Sequence, residues 1–239
     1  MAVYFIVPLM ALVGGVVQGV TGFGCGIIMM MAFPFLFETM PIAAGVSCAC
    51  GICLTFSMVI KLRKDIEIKK VILPGIIFMA VSTAGIFIST SLNQTVMKKA
   101  FGIFLIVLCI YYLFFNKPSE KPLNPVVALL FIVISAVCDS FFGIGGPLMV
   151  LYFMAQIKDM TRYRATIQTF FFIVGVYGVI VRIVRGIITV NLVPFIALGA
   201  AGIILGGLVG NRIADKLNPD IVRKCTYVMI GVAGLVNVI

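Results

Sequence analysis

The sequence predicts an all-α polytopic membrane protein built from two inverted repeats of about 120 residues. Of its 239 residues, 62% are hydrophobic and 11% are charged, whereas soluble domains average roughly 45–50% and 25%. Uncharged runs such as residues 1–37 and 186–211 reach the ~17–25 residues that a transmembrane helix needs. Each repeat is expected to hold a glycine-broken pair of two short helical arms, followed by three transmembrane helices.

The repeat is visible in two glycine clusters, GVTGFGCG at residues 19–26 and SFFGIGGP at residues 140–147. A shift of 121 positions superposes Gly22 on Gly143 and Lys61 on Arg182, and the same order of long and short apolar runs follows both clusters. Such internal similarity is typical of transporters assembled from two copies of one unit. The sequence thus predicts repeats at 1–116 and 122–239, joined by a short cytoplasmic linker at 117–121.

Each repeat begins with an apolar run that is too long for one membrane helix. The 37 residues of the first run would form a helix of about 55 Å, whereas the hydrocarbon core is about 30 Å thick. The glycine clusters therefore predict breaks and two short arms in each repeat. The arms are expected at 3–18 and 25–37, and at 124–139 and 146–157. The ordinary spans are expected at 40–60, 71–91 and 97–115, then at 164–183, 188–210 and 221–239.

The distribution of Lys and Arg decides whether the broken run crosses the membrane once or returns. A single crossing gives parallel repeats and divides the 18 basic residues into nine and nine. A hairpin or a pair of short crossings gives inverted repeats and divides them into fourteen and four. Because cytoplasmic loops carry the basic excess, we expect inverted repeats in the cell membrane with both termini outside. Arg182 and Arg185 then lie on the outer side, as snorkelling anchors at the ends of spans.

Several function classes are disfavoured by composition. The net charge is +10, but the basic residues lie in short loops rather than along one polar face, which argues against nucleic-acid binding. The chain has no His, and its eight Asp and Glu residues lie mostly in loops. We therefore expect no enzyme active site, no metal centre, no cofactor and no direct use of ATP. The seven Cys residues are interpreted as small hydrophobic groups.

The breaks are the predicted binding site. Non-helical backbone at membrane depth must line a protein-enclosed cavity, because lipid cannot satisfy its polar groups. Each second arm begins at a break with free N–H groups and the positive end of its helix dipole. Anions are the natural ligands of such a helix end. The glycines at the breaks are expected to permit positive φ angles and close approach of an oxyanion: Gly22, Gly24, Gly143, Gly145 and Gly146.

The alternative for these glycines is close helix packing, which we expect of two other sets: Gly15 with Gly19, and Gly202 with Gly206 and Gly210. The break glycines are bunched as GFG and GIGG, whereas packing glycines are spaced by four. The bunching favours the binding interpretation.

Asp139 is the one carboxylate well inside an apolar run. A charge at the centre of a membrane helix costs about 2.5–3.5 kcal/mol, so such a residue is a functional candidate. The 121-residue shift pairs it with Gln18, so a polar side chain precedes both breaks. Three roles stay open for Asp139: a protonatable coupling group, a cap for loop N–H groups, or a sodium ligand.

Further candidate substrate-binding residues flank the breaks or line the approach to them. Thr21 and Ser140 offer hydroxyl groups, and Phe23 and Cys25 lie within the first break. A vestibule could be lined by Ser47, Gln168 and Thr169, although polar residues in membrane helices often bond to a neighbouring helix instead. Arg164 is expected at the cytoplasmic mouth, where it attracts anions or anchors the helix. The run of Phe170, Phe171 and Phe172 is interpreted as packing and lipid-facing surface.

Three segments resemble a known family. They are QGVTGFGCGIIMM, FFGIGGPLMVLYFM and RATIQTFFFI, the last at residues 164–173. These segments are similar to the paired motifs of the sulfite exporter TauE/SafE family of membrane permeases, and the likeness extends over essentially the whole chain. The resemblance implies transport of small sulfur-containing anions such as sulfite, sulfonates and sulfoacetate. One departure is Cys25, where a glycine is common, and it leaves the substrate open within that class.

The sequence therefore predicts a secondary transporter for a small sulfur oxyanion, working by alternating access around the two breaks, with proton coupling as one option. The expected partners are the anionic substrate, the lipid bilayer, and a coupling proton or sodium ion. One alternative is a cation-coupled or channel-like permease for another small organic anion. Another is a membrane thiol protein that relays sulfur through Cys25 and Cys138. The anion, the transport direction and the oligomeric state are left open.

Overall fold

A computed structural model of the chain describes residues 2–115 and 123–213, together with residues 231, 234 and 235. Within these residues the fold is entirely helical. The α-helices within residues 2–115 and 123–213 are α1 Ala2–Thr21, α2 Cys25–Leu36, α3 Met40–Leu62, α4 Ile68–Ser89, α5 Gln94–Phe115, α6 Pro125–Phe142, α7 Gly146–Gln156, α8 Met160–Val184 and α9 Val193–Ile213. The predicted linker at 117–121 and the predicted last span at 221–239 lie outside the continuous described ranges.

The expected broken runs are present. Over the described residues, six helices are long and apolar enough to cross a membrane, whereas α2 has 12 residues and α7 has 11. At ~1.5 Å per residue these two helices span roughly 18 Å, less than the bilayer core. The arms predicted at 25–37 and 146–157 are thus confirmed to within one residue. Of the ordinary helices, α3 begins where predicted, α4, α5 and α8 begin three or four residues earlier, and α9 begins five residues later, at Val193.

The first two helices form a hairpin. A methyl group placed on Gly14 of α1 would lie 3.0 Å from the carbonyl oxygen of Cys25, at the start of α2. At the other end, the ring of Phe195 contacts both Tyr4, early in α1, and Phe37, just after α2, at centroid distances of 4.9 and 5.9 Å. The chain therefore returns along α2 to the side from which α1 started.

Helices α1 and α9 pack side by side in the same direction, with their backbones in close contact. Gly202, Gly206 and Gly210 of α9 face the backbone of α1, where added methyl groups would overlap the carbonyl oxygens of Pro8, Leu12 and Val16. Close helix approach in membranes depends on such small residues. The predicted packing role of these three glycines is therefore confirmed.

Helices α3 and α8 cross the middle of the molecule in opposite directions. Gly45 lies against the Arg182 side chain, Cys48 Sγ contacts the carbonyl oxygen of Gly175 at 3.7 Å, and Phe56 packs on Phe172. These two helices are counterparts under the 121-residue shift. Two further contacts are reciprocal under the same shift: α1 packs on α9 as α6 packs on α4, and α3 packs on α9 as α8 packs on α4.

The aromatic run on α8 lies mostly inside the protein rather than against lipid. Phe170 is fully buried and makes edge contacts with Phe78 and Phe153, each at a centroid distance of 5.3 Å. Its neighbour Phe171 is only partly buried. Phe170 therefore belongs to the packing part of the predicted surface, because the antiparallel packing of α8 turns that face toward α4 and α7.

Candidate functional site

Both helix breaks are formed by glycines in left-handed conformations. The first break has φ of +84° at Gly22 and +105° at Gly24, and the second has +64° at Gly143. Such angles are accessible to glycine at little cost. The expected positive φ is not present at Gly145, whose φ is −92°. There the small residue provides space, because a methyl group would lie 2.9 Å from the Phe78 ring and 3.0 Å from Cβ of Asp139.

The two breaks meet in the interior. A methyl group on Gly26, in the first turn of α2, would lie 2.8 Å from the carbonyl oxygen of Gly143. A methyl group on Gly146, at the start of α7, would lie 4.0 Å from Cβ of Phe23. The N-terminal ends of both short helices therefore point at one region. Pro147 lies in the first turn of α7 as expected, so α7 offers one fewer N–H donor there than α2 does.

A cavity of about 100 Å³ lies between the breaks. One water requires roughly 10–15 Å³ by this kind of measure, so the cavity has room for a small multi-atom ligand. It is lined by residues from both predicted breaks and from α3, α4 and α8. Nine of the predicted site residues line it: Gln18, Phe23, Gly24, Cys25, Ser47, Asp139, Gly143, Gly145 and Gly146.

The other six predicted site residues do not line the cavity. They are Thr21, Gly22, Ser140, Arg164, Gln168 and Thr169. Three of them use their hydroxyl groups inside their own segments. Thr21 Oγ1 lies 2.7 Å from the carbonyl oxygen of Phe23, and Ser140 and Thr169 donate to carbonyl oxygens three and four residues earlier. These hydroxyl groups therefore stabilise the local backbone.

Neutral amides hold the first break. Gln18 Nε2 donates to Gln168 Oε1 at 3.2 Å, and Gln168 Nε2 donates to the carbonyl oxygen of Gly22 at 2.6 Å. Gln168 is thus a support for the break rather than a vestibule residue. Arg164 also supports this region, because its Nη2 donates to the carbonyl oxygen of Gly19 at 3.0 Å. Arg164, expected either to attract anions or to anchor its helix, is thus bound to the last turn of α1.

Arg182 holds the second break, and its expected role as a snorkelling anchor was wrong. Only 1% of the residue is exposed. Its Nη2 donates to the carbonyl oxygens of Asp139 and Ser140 at 2.9 and 3.3 Å. A cation at the carbonyl end of a helix is favoured by the dipole. Arg185, three residues later, is exposed and stacks over Phe87 at 4.3 Å, as a surface residue would.

Asp139 and Ser47 face the cavity from different helices. Within the described residues the Asp139 carboxylate forms no hydrogen bond or ion pair, although its backbone carbonyl accepts from Gly143 N at 2.9 Å. The structure therefore shows no capping bond from this carboxylate to the loop N–H groups of the described chain. Ser47 is 2% exposed, and its hydroxyl group has no hydrogen-bond partner among the described residues.

The remaining walls were missed by sequence reasoning. Helix α3 presents Cys48, Gly51, Ile52 and Thr55, and α8 presents Phe171, Val174 and Gly175. On α3, the small or polar residues 47, 51 and 55 recur every four positions, a spacing that places them on one helix face. That stripe was the available signal. Phe171 carried no such signal, because an aromatic run on a membrane helix reads as packing.

The chain is similar to known membrane permeases over most of its length. The model of the sulfite exporter TauE/SafE family matches residues 7–236. A probable membrane transporter protein of Methanocaldococcus jannaschii is 26% identical to this chain over an alignment that covers 96% of this chain and 94% of the relative. No solved structure matches the chain significantly. The similarity points to a permease rather than an enzyme.

Proposed function

Because the chain belongs to the sulfite exporter TauE/SafE family, we propose that it is a secondary transporter for a small sulfur-containing oxyanion. The observation that carries the proposal is the cavity between the breaks. There the N-terminal end of α2 and the Ser47 hydroxyl group, which has no hydrogen-bond partner among the described residues, face one space. The family and the similar transporter support membrane transport in general. The oxyanion, its site and its coupling are our proposals.

The donors suit an oxyanion. The first-turn N–H groups of α2 have no acceptor within their own helix, and the helix dipole adds a partial positive charge there. Ser47 lies beside this turn, with its hydroxyl oxygen 3.8 Å from the position of a methyl group on Gly26. A sulfite or sulfonate oxygen placed at this end accepts from the backbone and from the hydroxyl group. The low dielectric of the site strengthens such bonds.

We also propose that the two repeats are inverted and that transport proceeds by alternating access. The antiparallel course of the counterparts α3 and α8 supports inversion, since parallel repeats would run them in the same direction. The α1–α2 hairpin and the fourteen-to-four division of basic residues support the same arrangement, with both termini outside the cytoplasm. Because residues of both repeats line the cavity, rocking one repeat against the other would open it to each side in turn.

Asp139 is proposed as the coupling residue. An oxyanion entering the cavity meets the Asp139 carboxylate, and two like charges in a small low-dielectric space repel strongly. A proton carried with the anion removes this repulsion. Sodium is the weaker candidate, because a cation site needs several oxygen ligands and the nearby carbonyl oxygens of Asp139 and Ser140 already accept from Arg182.

The test is flux in proteoliposomes that contain the purified protein. We would offer sulfite, thiosulfate, sulfoacetate, sulfate, acetate and chloride in turn, under an imposed proton or sodium gradient. The proposal predicts uptake of one or two sulfur oxyanions that a proton gradient accelerates, and loss of that acceleration in Asp139→Asn. Uptake of acetate or chloride alone would contradict the substrate class. Acceleration by sodium alone would support the cation-coupled alternative.

A further inference from the structure

The two breaks differ in the polar pair that accompanies them. The 121-residue shift places Gln18 on Asp139 and Ser47 on Gln168. At the first break the pair is Gln18 and Gln168. Gln18 donates a hydrogen bond to Gln168 at 3.2 Å, and Gln168 donates one to the carbonyl oxygen of Gly22 at 2.6 Å. At the second break, neither Asp139 nor Ser47 forms a side-chain hydrogen bond within the described residues, and both line the cavity.

The cavity is consequently lined by both an acceptor and donors. An ionised carboxylate only accepts hydrogen bonds, so Asp139 calls for a cation or a strong donor. The donors are the first turn of α2 and the hydroxyl group of Ser47. The charge of Arg182 acts on Asp139 through space, but its N–H groups are directed at the backbone carbonyls of Asp139, Ser140 and Gly178, so the Asp139 carboxylate has no hydrogen bond within the described residues.

We propose that the substrate is a short dipolar molecule, with an oxyanion head at the α2 end and Ser47, and an ammonium group at Asp139. This inference rests on the proposed oxyanion site and adds the second charge. The walls of the cavity also include Phe23, Ile52, Phe78 and Phe171, which suit a short carbon spacer. The volume of about 100 Å³ excludes a long one.

A dipolar substrate also changes the coupling. Its ammonium group neutralises Asp139 directly, so its transport needs no accompanying proton. A simple oxyanion lacks that group and requires the proton instead. Dipolar and simple anions should therefore differ in their response to a proton gradient as well as in affinity.

The experiment compares three sulfonates that differ only at the end remote from the sulfur. Taurine ends in ammonium, isethionate in hydroxyl and ethanesulfonate in methyl. Binding to the full-length purified protein is measured by calorimetric titration. We expect taurine to bind at least about tenfold more tightly than ethanesulfonate, since a hydrogen bond to a charged group is worth that factor or more, with isethionate between them. In Asp139→Asn the ranking should disappear while ethanesulfonate still binds.

Each result has a distinct meaning. If ethanesulfonate binds as tightly as taurine to the wild type, the dipolar inference is overturned while the oxyanion proposal stands. If sulfite binds and none of the three sulfonates does, the inference is likewise overturned. If no sulfur oxyanion binds at all, the proposed function itself fails. Should Asp139→Asn not fold, the wild-type ranking and the independence of taurine flux from a proton gradient still decide the question.

Discussion

The two helix breaks share a left-handed glycine, Gly22 in the first and its counterpart Gly143 in the second, but they differ in their polar groups. The first is held by a neutral amide chain from Gln18 through Gln168 to Gly22, and by Arg164 on the last turn of α1. The second is held by the buried Arg182 and leaves Asp139 facing the cavity. The difference shows that two copies of one structural unit can take different roles. One break positions the short helix α2, and the other supplies the charge.

The same division separates the counterpart helices α3 and α8. Helix α8 carries the side chains that hold both breaks, namely Arg164 and Gln168 near its start and Arg182 near its end. Helix α3 carries none of these and instead forms a wall of small and polar residues beside the cavity. Substitutions of these three α8 side chains should therefore act mainly on stability, and substitutions of the cavity-lining residues of α3 mainly on binding.

The largest effect is expected at Arg182. Arg182→Met removes hydrogen bonds from a charged donor to three backbone carbonyls, at about 1.5–3 kcal/mol for each bond to a charged group. We expect a loss of at least about 3 kcal/mol, allowing for weak and non-additive bonds, measured as a lower thermal midpoint in detergent. The matched control is Arg185→Met, which removes an exposed arginine and should change stability little. Equal effects of the two substitutions would contradict the clamp role of Arg182.

The next largest effect is expected at Gln168, whose neutral amide holds the first break. Gln168→Leu leaves the carbonyl oxygen of Gly22 without its donor, which costs about 1–3 kcal/mol for a buried polar group. Unfolding measurements should show this loss. The oxyanion affinity of the folded Gln168→Leu protein should fall less than that of a variant with a substitution in the cavity wall, such as Ser47→Ala. A variant that keeps full stability but loses binding would reverse the roles assigned to the two breaks.

Ser47→Ala should act on binding alone. The hydroxyl group has no partner within the described chain, so its removal should leave stability nearly unchanged. The loss of a hydrogen bond to a charged ligand corresponds to a dissociation constant that is about tenfold larger. Ser135→Ala is the matched control, because Ser135 is equally buried and unpartnered among the described residues but does not line the cavity. The two variants should be compared by titration with sulfite.

The smallest effect is expected at the thiols. Cys25 lines the cavity, whereas Cys138 does not, and both are free thiols. The combined Cys25→Ala and Cys138→Ala variant should transport within about a factor of a few of the wild type, because only packing contacts change. Complete loss of flux, with stability retained, would favour covalent relay of sulfur instead.

The sequence predicted the broken helices well and the side chains that hold the breaks poorly. Glycine clusters and the thickness of the bilayer define the arms, because those limits act locally on residues 1–37. The role of Arg182 depends on tertiary packing, since an arginine near the end of a span can snorkel outward or reach inward to a helix end. Its burial follows from the antiparallel packing of α3 on α8, which brings Gly45 against its side chain. The pattern along α8 alone does not contain that contact.

The candidate site was likewise predicted in part. Asp139 and the glycines were identified because a charge or a glycine cluster is conspicuous in an apolar run. Thr21, Ser140 and Thr169 were selected by residue type, but their hydroxyl groups bond to nearby carbonyls, as such groups often do in helices. Phe171 and Thr55 reach the cavity through the rotation of their helices, which the neighbouring helices determine.

The most direct test of the central claim, that the two breaks form one oxyanion site, is sulfite-dependent thermal stabilisation of three proteins. They are the wild type, Gly26→Ala and Gly75→Ala. A methyl group on Gly26 would lie 2.8 Å from the carbonyl oxygen of Gly143, between the breaks, whereas one on Gly75 meets nothing within 4 Å. We predict stabilisation that grows with sulfite concentration in the wild type and in Gly75→Ala, and none in folded Gly26→Ala. Equal stabilisation of all three proteins, or of none by any sulfur oxyanion, would contradict the claim.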